Sequence, residues 1–322
     1  MRNNALIILI ILIIASCSTK KNSIFKKSKE ENVSIDRVAG YKYINPLLDC
    51  GMQFKEINPF VTKVKKYITE KTKNGDAKTI SVYFRHLNNG YWFGINEKEE
   101  FNPASMMKVP IMMEFFKIAE MDPNVILNRL VFDKKVGVNN YSEADSLVFG
   151  KDYPILELVD RMIINSDNYA SGLIYHFNRQ YTDENAFFNE TMINNNIEGR
   201  DPFGNITVKD YSGFFRILYN SSFLNKQMSE TALALLIKTK FKNGLVKGVN
   251  NTSIEIAHKF GERLTDTEYQ LHDCGIVYYP NEPYILCVMT RGHVGDNEKL
   301  ENIISDISRI IYEEVNKQFG KK

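Results

Sequence analysis

The chain has 322 residues, 41 basic against 39 acidic side chains, four cysteines and 43% hydrophobic residues, a length that allows one large or two small domains with a sizeable core. The near-neutral balance lacks the basic surplus of a dedicated nucleic-acid binder, and four cysteines without a Cys-x-x-Cys pair exclude both a disulfide-built scaffold and a zinc ribbon. With 12% aromatic and 25% charged residues, the bulk of the chain is not disordered.

The N-terminus reads as an address. Met1-Arg2 carries positive charge, and Ala5 to Ala15 is an unbroken apolar run, too short to span a bilayer and suited to the h-region of an export signal. It ends in Ile14-Ala15-Ser16-Cys17, which resembles the processing site of bacterial lipoproteins, where the signal (residues 1–16) is cut away and Cys17 is acylated. A plain secretory signal with an incidental cysteine, or a short uncleaved anchor, are the alternatives. Residues 17–53 are polar and carry Lys20, Lys21, Lys26, Lys27 and Lys29, as a tether standing off a membrane would. The reading is of an exported protein, lipid-anchored at the cell envelope. Ser18 lacks the aspartate that often retains lipoproteins at the inner membrane, so the periplasmic face of the outer membrane is expected where one exists.

Residues 54–322 carry the periodic patterns. Pro59 to Thr72 has apolar residues at helical spacing. Thr79–His86 and Tyr91–Ile95 are β-branched and aromatic, and Asn88-Asn89-Gly90 between them is a hairpin signal. Ser105 to Met121 is helical, and the missing amide of Pro110 is expected to free the Met106 carbonyl and bend the helix just beyond Lys108. Helices follow at Ile155–Asn165, Ala170–Asn178, Val208–Tyr219 and Ser229–Thr239. Strands return at Ser253–Lys259, Tyr269–Tyr279 and Tyr284–Thr290, and an amphipathic helix closes the chain from Asn297 to Gln318. Cys274 and Cys287 flank a turn at nearly equal distances and read either as a bridge, which an oxidising compartment permits, or as two buried free thiols. Strands at both ends and helices between them predict an α/β (α+β) fold. Its antiparallel sheet (residues 54–104 and 240–322) is flanked by the N- and C-terminal helices, with an inserted all-helical lobe (105–239) and a cleft between.

Three short motifs fall on these elements. Ser105-Met106-Met107-Lys108 sets a serine and a lysine three apart on one helix face, where a neutral amine can take the serine proton. The same spacing recurs in Ser18-Thr19-Lys20-Lys21 and Ser23-Ile24-Phe25-Lys26 without meaning, so context separates the Ser105 copy. Ser166-Asp167-Asn168 interrupts a helical stretch and by itself reads as an N-cap. His258-Lys259-Phe260-Gly261 reads as a strand end.

Taken in order, Ser-x-x-Lys, Ser-Asp-Asn and Lys-x-Gly resemble the signatures of the penicillin-recognising serine hydrolases, closest to class A β-lactamases. Tyr141-Ser142, Leu156-Glu157-Leu158, Asp273-Cys274-Gly275-Ile276-Val277 and Thr290-Arg291-Gly292 extend the likeness over nearly all of Phe54 to Phe319. The resemblance implies a β-lactamase/transpeptidase-like fold and assigns roles. Ser105 becomes the acylated nucleophile, Lys108 its base or relay, and Ser166 the group that passes a proton to the leaving nitrogen. Asn168 binds the substrate's side-chain amide, Lys259 supplies charge for a substrate carboxylate, Gly261 leaves room for the substrate backbone, and Tyr141 lines the cleft. The backbone N–H groups of Ser105 and Glu262 form the oxyanion hole.

Two departures qualify it. Phe260 stands where the family has a hydroxyl that contacts the β-lactam carboxylate, and a phenyl ring forms no hydrogen bond of that kind. The family's deacylating loop has a Glu followed by Leu-Asn. Here Glu190 and Glu198 are the acidic candidates, Glu198 the nearer in position, and neither has that continuation. The expected function is a serine hydrolase forming an acyl-enzyme at Ser105, with β-lactam amide hydrolysis first. A penicillin-binding D,D-peptidase-like enzyme acting on peptidoglycan peptides is the alternative, and a non-catalytic binding lipoprotein a further one. Partners are then a small-molecule β-lactam or a peptidoglycan peptide, with a membrane reached through the lipid anchor, no nucleic acid, and a monomeric protein. No cofactor is implied. His86, His176, His258, His272 and His293 show no metal-ligand spacing, and His258 and His272 read as hydrogen-bonded core residues.

Overall fold

The computed structural model describes residues 42–43, 58–133, 147–193 and 204–320. All of them belong to one compact unit spanning residues 37–322. The expectations for Cys17, Tyr141, Ser142 and Glu198 lie outside the described residues.

The first helix, α1 (Asn58–Lys73), leads into a hairpin of β1 (Thr79–His86) and β2 (Trp92–Ile95). Gly90 takes a positive φ of 70° in the connecting turn, and its N–H donates to the His86 carbonyl. A short strand β3 (Glu100–Phe101) precedes a 3₁₀ turn at Ala104–Met107, which passes directly into α2 (Lys108–Met121). A second 3₁₀ turn (Pro123–Leu127) is followed by β4 (Arg129–Val131), β5 (Asp152–Pro154), α3 (Ile155–Ile164), α4 (Asn168–Asn178) and α5 (Glu184–Thr191). Then come β6 (Ile206–Thr207), α6 (Val208–Tyr219), α7 (Lys226–Ile237) and the short α8 (Leu245–Val249). The chain closes through β7 (Ile256–Leu264), β8 (Tyr269–Val277), β9 (Tyr284–Gly292) and α9 (Asn297–Phe319).

Five strands form one antiparallel sheet in the order β2-β1-β9-β8-β7, so the first and last parts of the chain meet at the β1–β9 pairing. Period-two alternation sorts their side chains into two cores. Ile80, Val82, Phe84, Leu271, Leu286 and Val288 pack with Val64 and Ile68 of α1 and with Ile303, Ile304, Ile307 and Ile311 of α9. Tyr83, Ala257, Cys274, Ile276, Ile285 and Met289 face the opposite way, against the apolar residues of α2, α3, α4, α6 and α7. The region between the two halves of the sheet is mostly helical, with two corrections: β4 pairs with β5, and β6 returns to pair with β3. These strands are two or three residues long, too short to leave a period in the sequence.

Three further expectations change. Lys259-Phe260-Gly261 lies inside the nine-residue β7, because charged Glu262 and Arg263 continue the strand along the sheet's edge. Cys274 and Cys287 are cross-strand partners on β8 and β9 and are joined by a disulfide. Pro110 is the third residue of α2 and, as expected, offers no amide to the Met106 carbonyl, while the expected bend is instead a change from 3₁₀ to α geometry at Lys108. The buried Tyr211 of α6 donates its hydroxyl to the Met106 carbonyl at 2.8 Å. Two residues of the expected tether are also held: the Glu230 carboxylate accepts from the backbone N–H groups of Lys42 and Tyr43. Among the described residues, no helix is long and apolar enough to cross a membrane.

Replacing Tyr211 by Phe keeps the ring in its pocket and removes only this hydrogen bond. The expected loss is about 1 kcal/mol of stability, visible as a lowered thermal midpoint. An unchanged midpoint would show that the bond does not hold the 3₁₀ turn.

Candidate active site

The sequence around Ser105 folds into a strained turn for identifiable reasons. Asn102 Oδ1 accepts from the Ala104 N–H at 3.0 Å, an Asx-type contact that curls the chain. Ala104 then sits at φ +50°, a conformation that costs a non-glycine residue energy and persists only where neighbours impose it. His272 approaches the Asn102 carbonyl at 3.1 Å from β8. The edge strand β7 presses on the turn from one side. A Cβ built at Gly261 would collide with the Pro103 carbonyl and lie 2.9 Å from Met106 Cγ. Glycine at this position lets the nucleophile turn pack directly on β7, an approach that any side chain would block. Glu262, next along the strand, is exposed.

Ser105 and Lys108 meet as their spacing predicts: Lys108 Nζ lies 2.9 Å from Ser105 Oγ. The same amine is 2.6 Å from the Ser166 carbonyl, 3.1 Å from Ser166 Oγ and 2.6 Å from Asn168 Oδ1. Ser166 Oγ is in turn 3.0 Å from Lys259 Nζ. Three distant segments thus converge on one chain of polar atoms. The Ser166 backbone has φ +57°, which turns its carbonyl and hydroxyl toward Lys108 between α3 and α4. Asp167 is the N-cap of α4, accepting from the Tyr169 and Ala170 N–H groups at 2.9 and 3.1 Å. The expected cap is supplied by Asp167, while Ser166 and Asn168 on either side of it turn to Lys108.

The electrostatics follow from burial. Desolvation pushes the Lys108 amine down to about 7, against the pull of the Asp167 carboxylate. Lys259 has no solvent exposure, and burial together with the like charge of Lys108 lowers it well below the ordinary lysine range, while Asp273 opposes the shift. The contacts accommodate either protonation state of Lys108, and burial favours the neutral one. An ammonium has three donors for these four oxygens and cannot accept. A neutral amine donates to the two obligate acceptors, the Ser166 carbonyl and Asn168 Oδ1, and keeps a lone pair for the Ser105 hydroxyl. The arrangement can therefore remove the Ser105 proton and relay it through Ser166.

Several groups behind the site were not singled out for a role by the sequence. His258 Nδ1 is 2.8 Å from Asp273 Oδ1, both fully buried, and Asp273 Oδ2 accepts from the Leu245 N–H at 2.9 Å. A Cβ at Gly244 would strike that carboxylate, so the α7–α8 connection passes tightly over it. Asp273 is the buried counter-charge nearest in effect to Lys259, and its pairing with His258 is a diagonal contact between neighbouring strands that only the register reveals. Glu190 lies exposed on α5. Among the described residues, no group of His, Cys, Asp and Glu is arranged to hold a metal ion.

With this geometry in place, likeness to known proteins can be stated. A sequence profile described as the beta-lactamase enzyme family matches residues 60–315. The fold is similar to that of PBP-A, with a TM-score of 0.71 and 21% identity over 82% of this chain and 98% of that one. A mutant of PBP-A solved as an acyl-enzyme complex with penicillin G gives a TM-score of 0.70 at 21% identity, covering 82% of this chain and all of that one. A beta-lactamase from Chitinophaga pinensis gives 0.69 at 15% identity, over 79% of this chain and 100% of that one. At such identities the likeness is one of fold. No curated protein matches the chain.

Neutral Lys108 is the reactive form, and its fraction grows as pH rises. The rate of Ser105 acylation should therefore climb about tenfold per pH unit below 7 and level off above it. Lys108→Met should lower the plateau by about 10²- to 10⁴-fold. A pH profile followed by mass spectrometry checks both, and a flat rate between pH 5 and 9 would contradict the assignment.

Proposed function

Because the chain belongs to the beta-lactamase enzyme family, a family of serine hydrolases, we propose that it forms an acyl-enzyme at Ser105 and hydrolyses a β-lactam-type amide. The observation that carries this reading is the position of Lys108 Nζ, 2.9 Å from Ser105 Oγ and in contact with Ser166 and Asn168. Ser105 Oγ attacks the carbonyl carbon while its proton passes to Lys108 Nζ. The C–N bond then breaks as Ser166 Oγ delivers a proton to the leaving nitrogen, and Lys108 restores the Ser166 proton. The backbone N–H groups of Ser105 and Glu262 stabilise the oxyanion, Glu262 being on the sheet edge that packs against the nucleophile turn. Water completes the cycle by attacking the ester, with Glu198 as the base.

A second reading, a penicillin-binding D,D-peptidase-like enzyme acting on peptidoglycan peptides, is favoured by one observation. Neither Glu190 nor Glu198 is followed by the Leu-Asn of the deacylating loop, so the acyl-enzyme would persist. A mutant of PBP-A, which shares the fold, has been solved as an acyl-enzyme complex with penicillin G. A persistent non-catalytic binding role fits poorly with two lysines kept buried, which costs stability without a chemical return. The location follows from Ile14-Ala15-Ser16-Cys17: an acylated Cys17 anchors a monomeric domain at the cell envelope through residues 17–53.

Incubation of the full-length protein with a fluorescent penicillin separates the readings. A covalent adduct on the wild type and none on Ser105→Ala is the expected result, and an adduct that survives this substitution contradicts the proposal. Steady release of hydrolysed product that disappears in Glu198→Gln supports the β-lactamase reading, whereas a stable adduct without product supports the penicillin-binding one.

A further inference from the structure

The third motif's lysine faces the protein, with nothing left for a ligand. Lys259 is fully buried and its Nζ lies 3.0 Å from Ser166 Oγ, 3.0 Å from the Phe260 carbonyl and 4.2 Å from the centre of the Phe260 ring. Two acceptor oxygens and an aromatic ring already surround the amine. The ring itself is fixed. Phe241, from the connection between α7 and α8, stacks on Phe260 with centroids 4.3 Å apart and planes 18° apart, and Phe260 is only 6% exposed. Directly across the β7–β8 ladder from Phe260 stands Asp273, a buried carboxylate on the same face of the sheet. Beside Lys259 there is thus an aromatic pair and a resident negative charge, where the family pattern has a hydroxyl.

A substrate carboxylate brought to this place would exchange water for phenyl rings, whose faces carry negative potential. It would find no hydroxyl to donate to it and a lysine already committed to Ser166. The geometry points to Phe260, braced by Phe241, as a specificity-determining residue that selects acyl donors without a carboxylate beside the leaving nitrogen: a mid-chain amide or an ester. This rests on the acyl-enzyme reading above and adds to it the class of substrate. Lys259 then acts through Ser166 as a positioning residue and does not touch the ligand.

The test uses two probes that share one scissile amide, benzylpenicillin and its methyl ester, with the full-length protein and mass-spectrometric timing of Ser105 acylation. The wild type should react with the ester at least as fast as with the acid. Phe260→Thr, which restores a hydroxyl and removes the ring, should raise the acid-to-ester rate ratio about tenfold, the worth of one charge-assisted hydrogen bond. The wild-type ratio decides the matter even if the variant fails to fold. An acid that outpaces its ester on the wild type, or a ratio unchanged in a folded Phe260→Thr, would overturn the proposal and leave the acyl-enzyme intact. Absence of labelling by both probes would overturn the acyl-enzyme reading and this one with it.

Discussion

Lys108 Nζ sits among four oxygens supplied by two separate segments, on a residue only 4% exposed, and much of the fold serves to keep it there. A buried amine without partners would be costly, and one with a full shell of charged partners would stay protonated. The protein takes a middle course, with a carbonyl, an amide oxygen and two hydroxyls as neighbours. These satisfy hydrogen-bonding needs without fixing the charge, and burial then favours the neutral amine. The same environment that makes Lys108 affordable to fold makes it a base.

Holding that geometry requires backbone conformations that the chain would not adopt alone. Ala104 and Ser166 have φ of +50° and +57°, and each is clamped from both sides. Ala104 is fixed by the Asn102 side chain on one side and by the close approach of Gly261 on the other. Ser166 is fixed by Lys108 and Lys259, and by the capped start of α4 behind it. The five-stranded sheet is the common reference for these clamps. Its edge strand β7 brings Lys259 and Gly261 to the nucleophile turn, and β8 brings His272 to the Asn102 carbonyl. Asp273, buried on β8 beside His258, opposes the lowering of Lys259, and Asp167 does the same for Lys108.

Much of this was legible in the sequence because it depends on local period or on ordered motifs. Thr79–His86 alternates, and the structure gives that strand the predicted limits; Val208–Tyr219 likewise forms the expected helix. The convergence of Ser105, Lys108, Ser166, Asn168 and Lys259 followed from three motifs in order, each ambiguous alone. What the sequence hid depends on register and tertiary approach. The His258–Asp273 contact spans neighbouring strands and has no spacing signature. The close approach of the Pro103–Met106 turn to Gly261 is likewise a tertiary contact that no spacing announces. The disulfide between Cys274 and Cys287 needed the β8–β9 register, which places the two residues opposite each other. Phe260 stood out as a missing hydroxyl, but its stacking on Phe241 and its contact with the buried Lys259 are seen only in the fold.

The central claim is that Lys108 is a neutral amine near physiological pH, and it can be measured without any substrate. Lysine labelled with ¹³C at Cε reports its own protonation by chemical shift, and Lys108→Arg identifies the signal. The account predicts a titration midpoint near 7, where the buried environment places it. A midpoint in the ordinary lysine range, about 10.4, would contradict it, because Lys108 would then be an ammonium and unable to take the Ser105 proton.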